Sequence, residues 1–128
     1  AVSTVLFSCG KYEEGPKISL ASKNARIINE WILVSVALNG QPQPLLSTNS
    51  TILIIKKDNS YSKTTTSGSV SVPENGKWEF SENKEVISRT RDGSTTTIYY
   101  TILRLKSKEL WLENGDGVNA YQYHYEQK

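Results

Sequence analysis

Tyr121-Gln122-Tyr123-His124-Tyr125-Glu126, close to the end of the chain, alternates an aromatic with a polar side chain at every step. A period of two is that of a β-strand, whose successive side chains leave on opposite faces, so this segment has one aromatic and one wet face. Its register is firm, because a slip of one residue would bury His124 and Glu126 in place of the tyrosines. The same alternation recurs upstream. Leu110 and Leu112 interleave with Trp111 and Glu113, and Trp78 and Phe80 with Lys77 and Glu79. Each strand therefore has one wet face, as antiparallel sheets allow.

The remaining strands follow from turn residues. Runs at about 30–39, 51–57, 60–66, 69–72, 76–81, 84–91, 94–105, 108–113 and 118–126 are separated by Asn39-Gly40, Asp58-Asn59, Glu82-Asn83, Asp92-Gly93 and Gly115-Asp116-Gly117. The run at 69–72 is weak and also reads as loop. In the first strand Trp31, Leu33 and Ala37 take one face and Ile32, Val34, Val36 and Leu38 the other. Something must cover its outside. The nearest candidate is the segment Ser22 to Asn29, where Ala25, Ile27 and Ile28 recur at helical spacing behind a Ser N-cap. In the long strand, Ile102 and Leu105 are three residues apart, which breaks the period and predicts a bulge near an outward Arg104. A sheet of about eight such strands buries its apolar face by closing on itself. The fold class expected is all-β: an up-and-down antiparallel barrel of about eight strands with a short N-terminal helix. Such a barrel is either filled by its own side chains or holds one small ligand, and the sequence leaves both open.

Composition narrows the function. The 128 residues make one domain, and 37% hydrophobic with 22% charged residues is the balance of a folded chain. A formal charge of +2 is too small for a surface that tracks a phosphate backbone, so no nucleic-acid partner is expected. One cysteine and one histidine exclude a disulfide framework and a closed zinc site of the usual kind, and no cofactor is expected. The phosphate-loop, nucleophile-elbow, HExxH and calcium-loop motifs are missing from the sequence. His124, the one side chain that titrates near neutrality, falls on the polar face and reads as a wall residue, not a catalyst.

Residues 1–8 are small or apolar and uncharged, and they close on Leu6-Phe7-Ser8-Cys9. This resembles the lipobox of bacterial lipoproteins, whose cysteine receives a diacylglyceryl group. Phe7 is an unusual choice there, and a basic region ahead of the apolar run is missing from this sequence. The plainer alternative is an edge strand with Cys9 as a small hydrophobe. The turn-rich, charged stretch Gly10-Lys11-Tyr12-Glu13-Glu14-Gly15-Pro16 favours a tether. Residues 1–21 are thus read as signal-peptide remnant, lipobox and tether, with Cys9 lipidated and the membrane as partner, and residues 22–128 as the barrel domain.

The order of motifs resembles the lipocalin-like domains of small lipoproteins in Gram-negative bacteria. The matching residues are Cys9 to Pro16, Ser19-Leu20, Ser22-Lys23-Asn24-Ala25-Arg26 leading to Trp31, Gly76-Lys77-Trp78, Tyr100 to Leu105, and Glu109-Leu110-Trp111-Leu112. Asn29 stands where the family's first glycine is expected. The resemblance implies a lipid-anchored barrel in the cell envelope, an outer-membrane lipoprotein on its periplasmic or surface face. Lys11 and Glu13-Glu14 resemble signals that sort lipoproteins outward.

The side chains most suited to line a ligand pocket are Trp31, Trp78, Phe80, Tyr100, Tyr121, Tyr123 and Tyr125, since such pockets are mainly apolar with a few orienting hydroxyls. Buried aromatic residues more often simply fill a core, while three tyrosines on one strand, each with a hydroxyl that needs a partner, point to a pocket. The expected protein is therefore a monomeric, non-enzymatic lipoprotein whose barrel takes a small hydrophobic or amphiphilic ligand. The alternative is an envelope interaction module with a filled barrel.

Overall fold

The computed structural model describes residues 23–115 and 118–128. The expected anchor at Cys9, the expected tether and Ser22, as well as Asp116 and Gly117 of the last turn, lie outside these described residues. A short helix, α1 (23–27), precedes strands β1 (Asn29–Leu38), β2 (Gln41–Gln43), β3 (Asn49–Ile55), β4 (Ser60–Ser67), β5 (Val70–Phe80), β6 (Val86–Arg91), β7 (Thr97–Leu105), β8 (Glu109–Gly115) and β9 (Ala120–Gln127). From β3 to β9 each strand pairs antiparallel with the next, and β1 pairs with β3. β9 then returns to β1, from Tyr121 opposite Leu38 to Gln127 opposite Trp31, and closes an eight-stranded barrel.

The strand that sequence reading leaves out is β2, which adds to the edge of β1 beyond the reach of β3. Asn39 and Gly40 both have positive φ, 52° and 82°, so they form a tight two-residue hairpin turn and do not simply lead into the Pro42/Pro44 loop. The segments expected at 69–72 and 76–81 are one continuous strand, β5. Pro73 is tolerated inside it for a geometric reason. The Asn75 carbonyl accepts the Asp92 N–H at 2.9 Å, so the odd-numbered backbone groups here aim at β6. β6 ends at Arg91, opposite Gly76, and Pro73 forfeits no ladder bond.

Two bulges set which side chains face inward. The expected one lies in β7: Ile102 pairs with Leu112 and Arg104 with Trp111, leaving Leu103 as the extra residue and Arg104 outside. A second bulge, in β1, corrects the reading of that strand. Tyr125 pairs with Leu33 while His124 pairs with Ser35, so Val34 is extra and the faces swap beyond it. Val36 and Leu38 therefore join Trp31 and Leu33 on the tyrosine side, and Ala37 turns outward. The outside of β1 does not need the helix as a cover. Instead, α1 closes the lower end of the barrel: Ile27 is fully buried in the core cluster, and the Trp31 Nε1–H donates to its carbonyl at 3.0 Å. Lys84, in the β5–β6 turn, donates to Asn24 Oδ1, and Lys23 donates to the Lys84 carbonyl. The helix stops at Ile27 because Asn29 already begins β1 opposite Ile55.

Gly76 has a steric role. A Cβ there would sit 2.2 Å from the Thr90 carbonyl oxygen and 2.7 Å from the Tyr61 ring, so only glycine lets β6 and Tyr61 close over β5.

Candidate ligand site

The interior divides into two levels. At the lower one Trp31, Ile27 and Leu110 form an apolar floor. Above it, strand alternation carries polar side chains inward. Counting by twos from Tyr61 on β4 reaches Lys63, from Trp78 on β5 reaches Glu74, and from Ile87 on β6 reaches Arg89. The strand register brings these together, with Lys63 opposite Glu74 and Trp78 opposite Arg89. Tyr61 Oη donates to Glu74 Oε2 at 2.6 Å, and Arg89 Nη1 donates to the same oxygen in an ion pair. Arg89 Nε donates to Tyr100 Oη at 3.1 Å, and its guanidinium lies 5.7 Å from the Tyr61 ring centroid and 5.6 Å from that of Tyr100.

These contacts shape the titration of the cluster. Burial pushes Tyr61 up to about 12, helped by its bond to Glu74. Burial works to raise Glu74 too, but the Tyr61 hydroxyl and the charges of Arg89, Lys63 and Arg91 outweigh it and hold the carboxyl below its ordinary value. Burial and the charge of Arg89 pull Lys63 down against the attraction of Glu74. Higher on the wall, Tyr123 is raised by burial and by the neighbouring Tyr100 and Tyr121.

Two spaces adjoin the cluster. A cavity of about 40 Å³ lies in the core against Leu53, Ile55, Trp78, Ile87 and Tyr125, with Lys63, Arg89 and Tyr100 also on its wall. A wider cleft of about 160 Å³ at the barrel mouth is bounded by Glu74, Arg91, Ser94, Thr96 and Ile98. Tyr61 and Arg89 line both, so together they partition core from mouth. Neither space reaches the roughly 300–1,000 Å³ of a drug-sized ligand site. The core cavity has room for a few waters at most.

The residues singled out from sequence are divided by this partition. Trp31 and Trp78 are buried and tied to backbone carbonyls, Trp31 as described and Trp78 by Nε1 donating to Lys56 at 2.9 Å. Phe80 is half-buried and takes the edge of Trp78 at 5.4 Å. Tyr125, only 6% exposed, faces the core cavity. Tyr123 meets Tyr100 at 6.3 Å and Tyr121 at 6.3 Å, and Tyr121 reaches the mouth at 37% exposure. The aromatic set thus runs from floor to rim, and Tyr100, Tyr121 and Tyr123 are the members at the level of the polar cluster. Sequence reading passes over Tyr61, Lys63, Glu74 and Arg89, although parity from a neighbouring buried residue marks each of them as inward.

His124 is on the outer wall, as expected, but it is half-buried, not fully solvated. Its ring stacks on Trp111 at 4.1 Å, and Arg104 covers the same indole at 4.7 Å while pairing with Glu109 at 2.8 Å.

A model of the lipocalin-like domain family matches residues 27–112, well over half of the chain. The chain belongs to that family. The lipocalin-like match begins at the buried Ile27 and ends at Leu112; it includes Lys63, Glu74, Arg89 and Tyr100, while the tyrosines of β9 lie beyond it. A solved structure, an NMR structure of a protein from Bacteroides uniformis ATCC 8492, is 25% identical and covers 81% of this chain and 90% of its own, with a TM-score of 0.62. No curated protein matches closely enough to be compared. Lipocalin-like domains are in general binding folds and not enzymes.

Proposed function

We propose that this lipocalin-like domain is a cell-envelope lipoprotein, anchored through Cys9, that binds a small hydrophobic or amphiphilic ligand in the upper half of its barrel and catalyses no reaction. The observation that carries the reading is the partition itself. The lower barrel is packed, whereas the upper barrel holds a polar cluster beneath an open mouth. The rim supplies apolar surface: Val70 and Val72 are 61% and 59% exposed on the strand face that carries Glu74. For the anchor, the support is the Leu6-Phe7-Ser8-Cys9 run and the charged tether after it. The resemblance of Lys11 and Glu13-Glu14 to signals that sort lipoproteins outward supports an outer-membrane position.

Binding is tested by titrating a fluorescent fatty acid. Tyr123→Ala should weaken binding more than it weakens the fold, and a fatty acid that does not bind the wild-type protein would overturn the reading. Anchoring is tested in the full precursor, where Cys9→Ala should move the protein to the soluble fraction. Retention in carbonate-washed membranes, with the signal peptide removed, would defeat it.

The second reading, an interaction module with a filled barrel, is favoured by the small core cavity and by Leu103, Val34 and Tyr99 standing exposed on the wall. Failure of every amphiphile to bind would leave this reading in place.

A further inference from the structure

The polar cluster is unbalanced. Three cationic side chains, Lys63, Arg89 and Arg91, act on one carboxylate, Glu74. Oε2 of that carboxylate is already engaged by the Tyr61 hydroxyl and by Arg89. Lys63 stands directly across the β4–β5 ladder from Glu74, yet among the described residues it has no hydrogen bond or ion pair. A lysine ammonium that simply reached water would carry little electrostatic penalty. Here burial and the charge of Arg89 bear on it against the attraction of Glu74, and an anion bound beside it would offset both. Arg89, by contrast, is fixed at Nε by Tyr100 and at Nη1 by Glu74, which leaves Nη2 with its N–H groups unspent among the described residues. A guanidinium held in this way recognises oxyanions without first having to order itself. Both side chains face the core cavity, and Arg89 also faces the mouth.

We infer that Lys63 and Arg89 form an anion subsite within the barrel, which takes a carboxylate or phosphate group. The rim beyond it is apolar, with Val70, Val72, Ile98 and Tyr121 exposed. An amphiphile would therefore enter head first through the mouth, its charged group meeting Arg89, which lines both spaces, and reaching Lys63 on the core side as the Tyr61 ring moves aside, with a short chain along the rim. The amphiphile form of this inference rests on the ligand-binding reading above; the anion subsite itself does not.

The test is a set of titrations followed by NMR, with decanoate and decyl phosphate as charged amphiphiles, decanol as the neutral control, and acetate and inorganic phosphate as free anions. The wild-type protein should bind decanoate or decyl phosphate more tightly than decanol. Lys63→Met should weaken binding of the charged ligands by about tenfold or more, the scale of one lost charge-assisted contact, and leave decanol unchanged. Lys63→Arg should retain binding. Thermal melts of the Lys63→Met protein check folding, and they should show no loss of stability because the substitution removes a partly buried cation. Binding of inorganic phosphate that depends on Lys63, with no binding of any decyl compound, keeps the subsite and overturns the amphiphile reading alone. Binding of decanol and decanoate with equal affinity, unaffected by Lys63→Met, overturns the subsite and keeps the amphiphile reading. If none of the ligands binds, both fall.

Discussion

The lower and upper halves of the barrel interior are made by the same strands with the same alternation, yet they end in opposite states. Below, Ile27 from α1 and Trp31 and Leu110 from the walls fill the space, and the polar atom of Trp31 is satisfied by the nearby Ile27 carbonyl. Above, Tyr61, Lys63, Glu74, Arg89 and Tyr100 occupy equivalent inward positions with long polar chains, of which Tyr61, Glu74, Arg89 and Tyr100 are linked by hydrogen bonds. The difference teaches that closure of the sheet fixes only which residues point inward. The chemistry of those residues then decides whether the interior is core or site.

The largest effect expected is at the floor. Leu110→Ala should cost about 2–5 kcal/mol in denaturant melts, because a fully buried leucine in a packed layer leaves a cavity. A cost as small as that of a surface change would mean that the lower half is not the packed element. Next comes the close approach of β6 and Tyr61 to β5. Gly76→Ala should cost about 1–3 kcal/mol, since the new methyl meets the Thr90 carbonyl, which belongs to backbone and cannot swing away. An unchanged midpoint would refute the close approach of Tyr61 and β6.

The upper cluster should show in the pH dependence of stability. Glu74 has its pKa lowered in the fold, so its contribution is present above the ordinary carboxyl value of 4.5 and is lost as pH falls through the lower folded value. Tyr61 is raised, so its contribution is complete below its ordinary value of 10.0 and disappears as pH rises toward about 12. Tyr61→Phe should remove part of the alkaline loss while leaving the lower barrel intact; the rest comes from Tyr125 and Tyr123, whose phenols burial also raises. A melting profile between those limits that is the same for both proteins at alkaline pH would contradict the burial of that phenol. The smallest effect is expected outside both halves: Arg104→Ala should cost less than about 1 kcal/mol, because its pair with Glu109 is partly exposed. A cost comparable to Leu110→Ala would place Arg104 inside.

Much of this contrast was legible in the sequence, though unevenly. The tyrosines of β9 and the leucines of β8 alternate with polar residues, and the Ile102–Leu105 spacing announces the β7 bulge, so faces there follow directly. β1 does not, since apolar residues occupy both of its faces and nothing in the pattern marks Val34 as the extra residue. Pro73 suggests a break that the early end of β6 makes unnecessary. Within the site, aromatic residues stand out by type, whereas Lys63, Glu74 and Arg89 read as ordinary solvated charges unless parity is counted from Tyr61, Trp78 and Ile87. Their meeting depends on the register of three strands, which local sequence does not specify.

The central claim, that the upper interior is the binding element and the lower interior is core, is tested most directly by mapping amide chemical-shift changes on adding decanoate. The account predicts changes that centre on Lys63, Arg89, Tyr100 and Tyr123 and fade toward Trp31 and Leu110. Changes confined to the outer wall around Trp111 and His124, with the interior unmoved, would contradict it.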